Sequence, residues 1–196
     1  MKIGIISDTH DDIKNTQKAI ELFNKLDVKN VFHAGDYVFP GIINLFKELK
    51  PNTNMYGVRG NNDGELLGIA NKFKELENAV FFNEFGRVVI EKKEIGIYHG
   101  TNPKLSETLI QSQIFDLLIL GHTHIRRIER VGRTLVLNPG ALNSSFFPQE
   151  KQKGPNVIIY ELEHESESMN GNGNGNGNMN EKVGTGSASF VTLDDD

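Results

Sequence analysis

The sequence contains no cysteine. That excludes disulfides and thiolate metal sites, so any metal held here must use nitrogen and oxygen ligands. No apolar run approaches the ~20 residues needed to cross a bilayer. The apolar stretch at the N-terminus is too short for a secretory leader and runs at once into acidic residues, so a cytoplasmic protein is expected. A basic surface is also missing. The formal net charge is −5, but residues 161–196 hold eight acids and one base. The rest of the chain is therefore near neutral, with 20 bases against 18 acids. Such a body has no electrostatic footprint for nucleic acid, and it does not repel a small anion.

What remains is ordinary globular material: 196 residues, 37% hydrophobic and 24% charged, enough for one sizeable core. Residues 2–7 form a short β-branched run that ends in Asp8-Thr9-His10-Asp11-Asp12, which reads as a buried strand entering a polar loop. A helix follows, capped by Asp11 or Asp12. Strands are expected at 30–33 and 54–58, with helices at 42–49 and 66–76. After residue 78 the pattern turns to consecutive strands (79–82, 87–92, 94–98, 117–120, 126–131, 134–137 and 157–162), with one helix at 105–114. Alternating strand and helix followed by hairpins implies two packed sheets with helices on their outer faces. Three segments are expected: a domain over 1–162, a disordered Asn/Gly-rich stretch over 163–184, and a terminal stretch over 185–196. The near-pure Asn-Gly repeat has too little apolar material to offset its ordering entropy. Residues 187–193 recover strand character, either as a strand beside 157–162 or as a loose end.

The polar residues fall in a pattern. Asp8 and His10 follow the first strand, Asp36 the second and Asn61 the third; His99 follows 95–98, and His122 and His124 follow 117–120. Ligands of α/β sheets gather outside the carboxyl ends of strands. These ends would collect carboxylate, amide and imidazole donors suited to a pair of divalent cations of intermediate hardness. Singly, Asp-x-His or Gly-Asp is weak evidence, because a Gly-Asp is usually a turn and a lone His is usually structural. The joint order has no comparably simple structural explanation.

Asp8-Thr9-His10, Gly35-Asp36, Gly60-Asn61-Asn62-Asp63, His99-Gly100 and Gly121-His122-Thr123-His124 resemble the signature blocks of the calcineurin-like metallophosphoesterase superfamily. The small size and Asn138-Pro139-Gly140-Ala141 resemble its YfcE-type phosphodiesterase branch. The resemblance covers roughly residues 1–162 and implies a four-layer α/β/β/α sandwich. It implies two divalent ions, with Mn²⁺ favoured and Ni²⁺, Fe²⁺, Co²⁺ or Zn²⁺ as alternatives. Asp8, His10, Asp36 and His124 would hold the first, and Asp36, Asn61, His99 and His122 the second, with Asp36 bridging. Two such ions sharing a water can generate hydroxide near neutral pH for attack on a small phosphate ester. The sequence departs from many members in placing Asn62 where they have a histidine. Asn62 can contact phosphate but cannot protonate an alkoxide, which favours phosphodiesterase over phosphomonoesterase activity. Asp63 is expected to orient its loop. His33 reads as an orienting donor or a packed strand residue. Arg59 reads as a structural ion pair in preference to a phosphate contact, and the arginines of 126–130 as a solvated edge. The superfamily also contains a retromer subunit that serves as an interaction scaffold. Here every ligand position holds a competent residue. Exposed strand edges and small size are compatible with a homodimer.

Overall fold

The computed structural model describes residues 1–143, 154–162 and 186–193. The expected disorder of 163–184 lies outside these residues. One sheet has six strands in the order β11-β10-β1-β2-β3-β4: β1 (Lys2–Ile6), β2 (Asn30–His33), β3 (Asn54–Gly57), β4 (Ala79–Phe81), β10 (Asn156–Leu162) and β11 (Gly186–Thr192). Its β1-β2-β3-β4 run is parallel. The second sheet has the order β5-β6-β7-β9-β8: β5 (Phe85–Ile90), β6 (Lys93–Tyr98), β7 (Leu117–Ile119), β8 (Arg127–Val131) and β9 (Thr134–Asn138).

Side-chain alternation along each strand builds the layers. Ile3 and Ile5 of β1 meet Ile95 and Ile97 of β6 and Leu117 and Ile119 of β7 in the core between the sheets. Ile6 points the other way, onto α1 (Ile13–Lys25), with Phe23 and Ile20. On the far side Tyr98, Leu118 and Val136 pack against Ile110 of α3 (Pro103–Gln111). Helix, sheet, sheet, helix is the expected sandwich. Each sheet is buried on both faces, which explains why its central strands read as near-continuous apolar runs.

Local details follow from the sequence. Asp12 caps α1, its Oδ1 accepting from Asn15 N at 2.9 Å. The β5–β6 hairpin turns at Glu91-Lys92, both with positive φ, between the paired Ile90 and Lys93. The helix expected over 42–49 is instead a 3₁₀ helix spanning Pro40–Glu48. Three residues per turn stacks Ile43, Phe46 and Leu49 on one face, and all three pack into the outer core. The last helix of the first half is α2 (Leu66–Lys74), with Ile69 and Phe73 buried. β11 pairs antiparallel with β10 from Asn156↔Thr192 to Leu162↔Gly186, so of the two readings of 187–193 the paired strand is the one observed.

Candidate metal centre

The loops after β1, β2, β3, β6 and β7 meet at one end of the two sheets. Backbone bonds tie them together: Asp8 N donates to Gly35 O at 2.9 Å, His10 N to Asp36 O at 3.1 Å and Gly121 N to His99 O at 2.9 Å. Approach this close requires glycine at the crossings. A Cβ on Gly35, whose φ is +97°, would stand 2.7 Å from Gly60 N and 2.8 Å from His99 Nδ1, and one on Gly60 would overlap the Asp36 carboxylate. The ligand candidates have unusual backbones: Asp8, His10, Asp36, His122 and His124 all have positive φ. Each costs about 1–2 kcal/mol for a non-glycine residue, and strain of this kind concentrates at functional sites.

Asp8, His10, Asp36 and His124 offer one donor atom each within 4.8 Å of one another. Asp8 Oδ1 lies 3.0 Å from His124 Nε2 and 3.9 Å from His10 Nε2. Its other oxygen accepts from the Ser7 hydroxyl and from His122 N at 3.1 Å, which fixes the carboxylate plane. Asp36 Oδ2 stands between two groups, 3.6 Å from His10 Nε2 and 3.4 Å from His99 Nε2. Beyond it, His99 Nε2 is 3.1 Å from Asn61 Oδ1, and the His99 and His122 rings are 5.2 Å apart. His99 Nδ1–H donates to the Ala34 carbonyl at 2.7 Å, which leaves Nε2 as the ligand atom facing the site. All the ligand positions expected from the sequence therefore converge.

The electrostatics suit divalent cations. Asp8 and Asp36 are buried, and the ion pairs recorded for them run to histidines. Burial would raise the Asp36 carboxyl, but hydrogen bonds from His99 and Asn62 outweigh it and hold it well below the usual carboxylate range. Burial also works against protonating His99, yet the Asp36 and Asp8 carboxylates prevail and raise it. His122 is lowered, first by burial and then by the neighbouring His99 charge. Two buried carboxylates thus draw positive charge into a cluster whose other donors are imidazole and amide. That donor set fits metals bound through nitrogen and oxygen.

The remaining sequence candidates fall into place around this cluster. Asn62 N and Nδ2 donate to the two Asp36 oxygens, each at 2.8 Å, so the amide expected to face phosphate is turned onto Asp36. Asp63 accepts from Gly60 N at 2.7 Å, Asp36 N at 3.0 Å and Val38 N at 2.8 Å, which is an orienting role. His33 is both packed and orienting: it stacks on Tyr37 at 3.8 Å, accepts from Gly35 N at Nδ1 and donates from Nε2 to Thr9 Oγ1 at 3.2 Å. Arg59 pairs with Glu84. Arg127 pairs with Glu129, and Arg126 stacks over Phe190.

Sequence reasoning missed several supports. Asn138 Nδ2 holds the Gly121 carbonyl at 2.8 Å, Asn143 Nδ2 holds the His10 carbonyl at 3.1 Å, and Ser7 steadies Asp8. An asparagine closing β9 where an apolar residue would otherwise continue was the available signal for Asn138.

Two mixed sheets in a four-layer sandwich, carrying buried carboxylates and imidazoles at the strand ends, define a metallohydrolase of the kind that works on phosphate esters. The calcineurin-like phosphoesterase superfamily domain matches residues 1–165, and the chain belongs to that family of metal-dependent phosphoesterases. Phosphodiesterase MJ0936 of Methanocaldococcus jannaschii is 41% identical over 140 residues, covering 71% of this chain and 83% of that protein. Phosphodiesterase YfcE of Escherichia coli is 26% identical over 156 residues, covering 73% and 80%. The solved structure of an archaeal phosphodiesterase superposes with a TM-score of 0.76 at 32% identity, covering 97% of this chain and all of that one.

Proposed function

We propose that this chain is a binuclear phosphodiesterase of small phosphate esters, with one ion held by Asp8, His10, Asp36 and His124 and the other by Asp36, Asn61, His99 and His122. The observation that carries this reading is the position of Asp36 Oδ2 between His10 and His99, which a bridging ligand requires. Paired divalent ions, Mn²⁺ in the first instance, would supply a nucleophile at neutral pH and neutralise charge on the phosphoryl oxygens. The protein's own groups prepare that site. Asn62 and His99 keep Asp36 ionised, Ser7 and the His122 amide aim Asp8 Oδ1, and the Ala34 carbonyl holds His99 in the ligand tautomer. Asn61 contributes a neutral oxygen, so its ion keeps more positive charge than a third carboxylate would leave.

The diester preference is supported by the phosphodiesterase names of the relatives and by Asn62, which offers no proton to a poor leaving group. A purely scaffolding role is disfavoured by the full set of competent ligands. No helix among the described residues is long and apolar enough to cross a membrane. A cytoplasmic location and a homodimeric assembly are further parts of this proposal. The test is hydrolysis of bis(4-nitrophenyl) phosphate after chelation and after readdition of Mn²⁺. Activity should vanish and return, and Asp36→Asn should bind neither ion tightly. Full turnover in metal-stripped protein would overturn the proposal.

A further inference from the structure

A groove with a cavity volume of about 920 Å³ opens directly off the metal centre, starting at His122 and Gly100. One wall is α3, through Pro103, Ser106 and Ile110; the other is β8 and the approach to it, through Ile125 and Val131. Leu120 forms part of the floor. The surface is largely apolar, and Ile125 is held at the rim 59% exposed, where it covers no part of the core. Two of the charges along it are matched to each other: Arg127 Nη2 lies 2.7 Å from Glu129 Oε2. The Arg126 guanidinium sits 5.2 Å over the Phe190 ring and bonds Asn156 Oδ1 at 3.3 Å. The remaining acid, Glu107, adds a negative charge.

We infer that this groove holds one organic arm of the phosphodiester, and that the arm is uncharged and predominantly apolar. The inference rests on the phosphoesterase reading and deepens it by naming the substrate class. Position supports it, because the groove is continuous with His122, so an ester whose phosphate lies at the metals can lay a substituent along α3. A Cβ built on Gly100 would stand 3.6 Å from His122 Cβ and 3.8 Å from Ser106 Oγ. Those are ordinary contacts, and it is the φ of +104° that favours glycine at this point, where the chain passes between His122 and α3. Charge supports it too. A second phosphate on the arm would meet Glu107 and would have to compete for arginines already engaged, which disfavours nucleotide and polyphosphate arms. An apolar arm meets no such cost and covers Ile125, Leu120 and Ile110.

The test uses methyl-, butyl- and phenylphosphonate, which carry a single arm each, so the result does not depend on which ester arm leaves. Their Kd for Mn²⁺-loaded protein is measured by calorimetry on the native chain, Ser106→Phe and Ile125→Ser, with thermal melts to show that all three fold. In the native protein Kd should fall roughly 10-fold from methyl to phenyl. Ser106→Phe fills the groove and Ile125→Ser strips its rim, so each should compress that span to about 3-fold or less while leaving methylphosphonate binding unchanged. A native series that is flat, or a variant series as steep as the native one, overturns the inference. Hydrolysis of methyl 4-nitrophenyl phosphate is measured in parallel. Its absence in the metal-loaded native protein sinks the phosphoesterase reading, a result separate from the slope of the phosphonate series.

Discussion

Replacing Asp63 by asparagine should damage the site without touching a ligand. The Asp63 carboxylate is 4% exposed and accepts from three backbone amides: Val38 N at one oxygen, Asp36 N and Gly60 N at the other. Asparagine can keep only one oxygen there. Its better orientation saves the Asp36 and Gly60 bonds and turns an NH₂ group against Val38 N–H. An unsatisfied buried donor costs about 1–3 kcal/mol, and the two surviving bonds lose the strength that charge gave them. Relief from burying a charge returns part of this, so the net cost is about 2–4 kcal/mol. At ~2–4 °C per kcal/mol for a chain of this size, the melting temperature should fall by roughly 5–15 °C. The loosened groups are the backbone amides of Asp36 and Gly60, on either side of the proposed bridge and beside Asn61. Metal affinity should therefore weaken with stability, by about 10-fold or more. The assays are a thermal melt and Mn²⁺ titration of Asp63→Asn and Asp63→Glu. A melting temperature within 2 °C of native, with unchanged Mn²⁺ affinity, would refute the view that this carboxylate clamps the loops after β2 and β3.

Three further outcomes are expected. Burial, reinforced by the His99 charge, depresses the His33 imidazole to about 3; the unfolded chain therefore binds one more proton between that value and the usual ~6.5, and stability is lost as pH falls through this window, by on the order of 4–5 kcal/mol at its acid end. His33→Gln should flatten the pH dependence of metal-free unfolding by about one proton, and identical slopes in urea melts would show that His33 does not carry it. Asn62→His should free Asp36 of its side-chain hydrogen bond from Nδ2 while keeping the backbone one and adding a proton donor, so it should weaken metal binding yet favour esters with poor leaving groups, read from a plot of rate against leaving-group pKa; a slope unchanged from native would show that residue 62 does not reach the leaving oxygen. Truncation after residue 162 should leave metal binding intact but lower the melting temperature, because it removes β11, its seven-residue pairing with β10 and the Phe190 face under Arg126; an unchanged melting temperature would mean that β11 adds nothing to the sheet.

The parts of the site legible in the sequence are those that each follow an apolar strand. Asp36 could be picked out because four buried residues, Asn30–His33, precede it closely and a glycine lies beside it. The supports were hidden because their partners are remote. Asp8 Oδ2 meets His122 N across 114 residues, and Asn143 meets the His10 carbonyl across 133. An isolated asparagine or serine carries no period that would announce such a bond. The backbone was hidden for a different reason. Local rules assign positive φ mainly to glycine and only at a few per cent to asparagine, aspartate and histidine, so residue type alone could not single out Asp8, His10, Asp36, His122 and His124 as adopting it. Tertiary contacts override that preference: His10 N and Asp8 N are each held by carbonyls of the loop after β2, and His122 N is held by Asp8. Asn62 illustrates the same competition within one side chain. From sequence its amide is an exposed donor free to meet phosphate, but the Asp36 carboxylate, buried and ionised, is the stronger acceptor within reach. An incoming phosphate must therefore draw that amide away from Asp36 or leave it in place as part of the cradle. If Asn62 meets phosphate as proposed, one residue would serve as both substrate contact and ligand support, and a change at position 62 should move metal affinity and turnover together.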